Sequence, residues 1–316
     1  MKPTLNQIAV WVTLALTALA TALRLATLPQ VQAEAVGEAG ISLWLLLALI
    51  ACTVVLVVLA IVSRLPLRPL LDGEDAKLPG LAAVAAGAVL FVDTVMAMVR
   101  LILTGITPPP NAQILNPADR TTLWLTLVFG FLGGLWLVLT GIRWHRNQSL
   151  STAERFGALL PVLWIWCRLA RYELSYASAT NAKRSFYDFF MLIFLTLFLL
   201  AFARYVADVA PPKARSMRAY ASIAAMLGIS SPLTRLGMYL LGDTESFNAS
   251  QLAGATDFAI GLLALALTVY LYRDIENALD DEEDESNYID DLAKPSTTPL
   301  SDQLFSEWLS EHTENE

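Results

Sequence analysis

Apolar residues gather along the chain into eight long runs: Ile8–Leu25, Ile41–Val62, Gly80–Thr104, Thr122–Ile142, Phe156–Leu174, Ser185–Val206, Ala219–Leu241 and Ala253–Tyr272. Each is long enough to cross about 30 Å of hydrocarbon as a helix. None alternates with the two-residue period of a barrel strand, so helix is the expected spanning form. The pattern predicts an all-α fold: an eight-helix transmembrane bundle over residues 1–275 and a disordered acidic tail over 276–316. The first run has a rival reading. Lys2, the run and Val31-Gln32-Ala33 imitate a signal peptide cut after Ala33. The length of the run and the intrusion of Arg24 favour a retained helix, and cleavage is left open.

Composition agrees with lipid as the main solvent. Of 316 residues, 56% are hydrophobic and 16% charged, where a soluble domain carries about 25% charged. The net charge of −8 hides a split. Residues 276–316 hold 14 of the 29 acids and one base, Lys294, for −13, and the remainder carries +5. A mildly basic membrane part suits anionic lipid, and nothing forms a nucleic-acid footprint. Cys52 and Cys167 lie inside apolar runs and read as small hydrophobes. His145 and His312 lie outside the runs, which removes most histidine chemistry from the membrane.

Lys and Arg in short connections set the orientation. Residues 28–40 and 242–256 contain neither and are expected outside. The connections holding Arg64, Arg68 and Lys77, then Arg143, Arg146 and Arg155, then Lys213, Arg215 and Arg218 fall inside. Both termini are then cytoplasmic, in the plasma membrane. Lys183 and Arg184 fall outside and break the rule.

Within the runs, Gly130 and Gly134 permit close helix approach. Gly228-Ile-Ser-Ser-Pro232 should kink or break the seventh helix, with Ser230 or Ser231 satisfying the freed backbone. Trp11, Trp44, Trp124 and Trp144 sit toward run ends like an interfacial belt, and Trp164 and Trp166 do the same or pack.

Charges inside the runs carry the functional signal. The expected orientation places Arg24, Arg100, Arg168, Arg171 and Arg235 in the outer half or at its edge, with Glu173, Asp188 and Asp257, while Asp93 lies near the middle. The second and fourth runs carry no charge and suit a lipid-facing flank. One reading is an outward vestibule rich in guanidinium, the group best matched to carboxylate or phosphate. Its ligand candidates are Asp93, Arg100, Arg168, Arg171, Asp188, Arg235 and Asp257, and its occupant an anionic small molecule or lipid headgroup. The plainer reading is that these charges pair across helices and hold the bundle together. Asp93 and Arg100 are two turns apart, roughly 10 Å along the axis. Asp93 therefore needs a partner from another helix or a proton, and its plainer form is a neutral acid bonded to neighbouring backbone.

The chain contains no HExxH, P-loop, CxxC or EF-hand loop. Ser230 has no histidine within the membrane to activate it. The expectation is a non-enzymatic protein with no cofactor and no metal. In the tail, Asp280–Glu285 is an unbroken acidic run. Beyond it, Ser301 can cap a short amphipathic helix over 301–311, with Leu304, Phe305, Trp308 and Leu309 on one face. Such a helix forms on a partner, and recruitment of a cytoplasmic protein through it is the leading functional expectation.

The stretch Leu159-Leu-Pro-Val-Leu-Trp-Ile-Trp-Cys-Arg168, followed by Phe186-Tyr-Asp-Phe-Phe-Met-Leu-Ile-Phe194, resembles a pair that recurs in uncharacterised polytopic bacterial membrane proteins. The ending Asp302-Gln-Leu-Phe-Ser-Glu-Trp-Leu309 is similar to their acidic-hydrophobic terminal peptide. The resemblance covers about a fifth of the chain and implies no activity.

Overall fold

The computed structural model describes residues 5–33, 39–62, 76–106, 117–176, 182–207, 215–240 and 251–273. Among them it is all helical. The elements are α1 (Leu5–Ala33), α2 (Ala39–Val62), α3 (Lys77–Ile106), α4 (Pro117–His145), α5 (Thr152–Phe156), α6 (Leu159–Tyr176), α7 (Ala182–Val206), α8 (Arg215–Leu240) and α9 (Gln251–Arg273). The tail, with Leu304, Phe305, Trp308 and Leu309, lies outside the described residues.

Among the described residues, five helices are long and apolar enough to cross a membrane, through Gln7–Ala26, Lys77–Leu103, Arg120–His145, Tyr187–Val206 and Gly254–Tyr272. Three of the eight expected spans fall short of that measure. In α2 the described apolar stretch is Leu47–Val62. Helix α6 carries Arg168, Arg171 and Glu173 in 18 residues. Helix α8 carries Arg215, Arg218 and Arg235.

Helix α8 fails on apolarity because it is not a surface helix. It packs against α1, α2, α7 and α9, and from Met217 to Ser231 only Tyr220 is less than buried. Its small residues, Ala221, Ser222, Ala224, Ala225, Gly228, Ser230 and Ser231, let neighbours approach from all sides. The outer faces of α2, α3 and α4 instead expose Val54, Val58, Ile61, Leu81, Val92, Leu135 and Leu139. Apolar patches so continuous suit contact with lipid. The uncharged second run packs on α1 and α8, and the fourth packs on α3 and α6 while keeping an exposed outer face.

Close crossings set the bundle's registers. At the α3–α4 crossing, a Cβ on Gly87 would stand 2.6 Å from the Gly134 carbonyl, and one on Gly134 would stand 2.9 Å from the Gly87 carbonyl. Gly130 faces Thr94 and Trp164, so both members of the Gly130–Gly134 pair serve the α3 contact. Gly228 and Gly261 form a second crossing, between α8 and α9, where a Cβ on Gly261 would lie 2.8 Å from the Gly228 carbonyl carbon. Buried threonines close their own hydroxyls onto carbonyls one turn back, as Thr13 does to Ala9, Thr94 to Leu90 and Thr268 to Ala264.

Three local expectations change. Helix α8 runs unbroken through Pro232. Ser230 bonds the Leu227 carbonyl and the Tyr187 hydroxyl, and Ser231 bonds Asp188, so neither hydroxyl is directed to the Gly228 carbonyl that Pro232 releases. Trp144 is buried, edge-on to Phe202 at 5.8 Å, rather than interfacial. Trp164 is also buried, whereas Trp11, Trp124 and Trp166 are exposed. The fifth run starts at Leu159, because α5 and a turn at Gly157 precede it.

That turn carries a small electrostatic device outside the membrane-spanning helices. The Ser151 amide and hydroxyl donate to the Glu154 carboxylate at 2.9 and 2.8 Å, and Arg143 from the end of α4 donates to the same oxygen. These donors, the Ser151 amide first, hold Glu154 below the ordinary carboxylate range. A lowered folded-state pKa stabilises the fold above the ordinary value of about 4.3. That contribution is lost as pH falls through the lowered value. Melting curves taken from about pH 5 downward should show this loss, and Glu154→Gln should flatten that part of the profile. An unchanged profile in the variant assigns the acid sensitivity elsewhere.

Candidate functional site

Five helices and the edge of a sixth bring charge to one end of the bundle. Asp188 and Asp257 are each the seventh residue of their helices, α7 and α9. Arg24, Arg168 and Arg235 come from the later halves of α1, α6 and α8. Neighbouring helices that alternate in direction put all five at the same level.

Two ion-pair groups result. Arg168 grips Asp257 with both terminal nitrogens, Nη2 to Oδ2 at 2.9 Å and Nη1 to Oδ1. The Asp257 side chain is 2% exposed and that of Arg168 21%, and Arg168 also lies 5.5 Å over the Trp164 ring. The Gly228–Gly261 crossing is one turn beyond Asp257, so the contact between α8 and α9 holds this carboxylate in place. In the second group, Asp188 is clasped by two arginines. Arg235 Nη2 donates to Oδ2 at 2.8 Å, Arg24 Nη2 to Oδ1 at 3.3 Å, and Ser231 Oγ also reaches Oδ1 at 3.2 Å. The Arg24 guanidinium is stacked 3.7 Å from the centre of the Tyr187 ring, and the Tyr187 hydroxyl meets Ser230. Here the side chains of Asp188 and Arg235 are 23% and 27% exposed.

Asp93 on α3 joins from the side. The Thr256 hydroxyl, on α9 next to Asp257, donates to its Oδ2 at 2.9 Å. Its partner is thus a side-chain hydroxyl, in place of the backbone expected. Arg168 stands within electrostatic reach of Asp93, Asp188 and Asp257 together, which links the two groups. Arg100 reaches Asp93 electrostatically from an exposed position on the same helix. Arg171 is half-buried one turn beyond Arg168, and Glu173 is exposed.

Of the seven ligand candidates, Asp93, Arg168, Asp188, Arg235 and Asp257 therefore gather, while Arg100 and Arg171 stand nearer the rim. Arg24, Tyr187, Ser231 and Thr256 were not among them. Arg24 carried a signal, a lone cation deep in an apolar run. Tyr187, Ser231 and Thr256 carried only adjacency to Asp188, Pro232 and Asp257. Among the described residues no cluster of His, Cys, Asp and Glu could hold a metal ion.

The long apolar helices and apolar outer faces define the class: a helical protein embedded in a membrane, crossing it several times. Comparison with protein-family models, curated proteins and solved structures finds no match for the chain.

The sealed pair allows a direct test of its worth. Arg168→Met leaves the Asp257 carboxylate buried without its bidentate partner, at a cost of about 3–5 kcal/mol. Asp257→Leu alone should cost a comparable amount. The double variant should recover most of the loss in thermal unfolding in detergent. Additive losses would show that the two residues act independently.

Proposed function

We propose that the chain is an eight-span protein of the cytoplasmic membrane, with both termini inside, that binds an anionic group in an outward-facing vestibule. The group is a small carboxylate or phosphate, free or on a lipid headgroup. Support for eight spans comes from length: at 1.5 Å per residue, α6 extends about 27 Å and α8 about 39 Å. Arg168, Arg218 and Arg235 face other helices, where an intramembrane charge is tolerated. The basic connections support the orientation.

The observation that carries the binding reading is the clasp on Asp188. Two guanidiniums from different helices converge on one carboxylate that is still about a quarter exposed. Hydrocarbon at that position would cost a charge roughly 3 kcal/mol or more, so the accessible side faces water. Arg24, itself buried, and Arg235, about a quarter exposed, thus form a carboxylate-recognising pair beside the accessible Asp188, which occupies the place an incoming anion would take. No covalent chemistry is required of the site.

Thermal-shift measurements in detergent against carboxylates, phosphate esters and anionic lipids should give a stabilising shift for at least one class. Arg235→Ala should abolish that shift while Arg143→Ala, at the far end of α4, leaves it intact. Equal shifts in wild type and Arg235→Ala would remove Arg235 from the binding residues.

The spacing of Leu304, Phe305, Trp308 and Leu309 favours a second role beside the first, docking of a cytoplasmic protein on residues 301–311. A carboxyl-terminal tag should be shielded from a non-permeant reagent in intact cells. A pull-down with the tail should lose its partner on Trp308→Ala. A reachable tag, or equal recovery, would eliminate this role.

A further inference from the structure

We propose that the site takes up one proton together with its anion, and that Asp93 receives it. The proposal rests on the anion-binding reading above and adds what must accompany the anion.

Charge balance makes the demand. The directly bonded network holds three guanidiniums, Arg24, Arg168 and Arg235, against three carboxylates, Asp93, Asp188 and Asp257, while Arg100, exposed, and Arg171 stand nearer the rim, where water and salt screen them. An anion entering beside Arg24 and Arg235 adds a negative charge to a region already balanced. Uncompensated charge in a poorly solvated interior is strongly disfavoured. A proton taken from the outside solution onto one carboxylate restores the balance, and its return on release closes the cycle.

Hydrogen-bond chemistry selects the carboxylate. Arginine only donates, so its partner has to offer lone pairs. Asp257 receives both Arg168 terminal nitrogens, and Asp188 receives Arg24 and Arg235. Before an anion enters, protonating either sets a hydrogen against a donor; once Asp188 is displaced that bar holds for Asp257 alone, and the Asp93→Asn variant below separates Asp93 from Asp188. Asp93 differs, because its bond comes from the Thr256 hydroxyl. A hydroxyl both donates and accepts: it donates to the ionised form and can take the proton of the neutral form. The Asp93–Thr256 contact therefore fits both states.

The surroundings of Asp93 carry the signal. From α9 it is faced by Thr256 and Asp257, from α6 by Arg168, and on α3 itself by Arg100. From α4 the nearby positions are Gly130 and Phe131, against Thr94 and Phe91, and neither titrates. Arg168 is common to Asp93, Asp188 and Asp257. An anion that displaces Asp188 from its clasp changes the charge Arg168 feels, and Asp93 feels it through Arg168.

The test uses the full chain in detergent with two probes of fixed charge, benzoate for a free carboxylate and diethyl phosphate for a lipid-type phosphodiester. Affinities are measured from about pH 5.5 to about pH 8.5, with proton uptake followed in weak buffer. One linked proton weakens wild-type binding by roughly tenfold per pH unit where Asp93 is ionised. Asp93→Asn should bind with no such slope and without proton uptake. Should that variant fail to fold, Asp93→Glu should keep the slope, and proton uptake by wild type still decides the stoichiometry. Binding by wild type that is flat with pH, or without proton uptake, overturns the proposal and leaves the anion site standing. A slope that survives in Asp93→Asn overturns the assignment to Asp93. No binding of either probe, nor of a vesicle containing phosphatidylglycerol, sinks the anion-site reading and this inference with it.

Discussion

A carboxylate placed inside a helical bundle has to be answered by donors from somewhere else in the bundle. That requirement organises one end of this molecule. Asp257 is answered by Arg168 and Asp188 by Arg24 and Arg235. These bonds join α6 to α9, α1 to α7, and α7 to its neighbour α8. Because each guanidinium is a rigid fork, these bonds fix rotation as well as distance.

The same requirement explains the helix at the centre. Helix α8 touches four others and, from Met217 to Ser231, has little lipid to face. In a membrane there is no hydrophobic drive to hide apolar side chains from lipid, so association rests on close packing and polar contacts. A central helix can accordingly be less apolar than those around it, and α8 is built of alanine, glycine and serine. Its serines at 230 and 231 meet Tyr187 and Asp188, and its glycine at 228 admits α9 closely enough to set Asp257. The buried α8 is thus less apolar than the flanking α2 and α3, the reverse of a soluble domain.

Much of the architecture was legible in the hydrophobic pattern. All eight runs appear as helices, since a long uninterrupted run in lipid has no other way to satisfy its backbone. Pairing was not. Arg24 and Arg235 lie 211 positions apart, and nothing local states that they share Asp188. Trp144 illustrates a second limit: position near a run's end suggests an interface, but neighbours decide, and Phe202 buries it. Pro232 illustrates a third. Proline removes one donor, yet α8, closely packed from Met217 to Ser231, continues to Leu240. Gly134 was legible as a packing residue, but its partner Gly87 was not.

The two ion-pair groups use the same chemistry and differ in access, and that difference bears on function. If the charges served only to hold helices together, sealing both groups would be the better solution, because water weakens an ion pair. The Arg168–Asp257 pair follows that logic, with its carboxylate almost wholly covered. Asp188 does not, though it has two arginines and a serine around it. A carboxylate given more donors and less cover is held well and still replaceable. On the anion-binding proposal Asp257 is then the carboxylate that holds and Asp188 the one that exchanges, while Asp93 is bonded to the Thr256 hydroxyl.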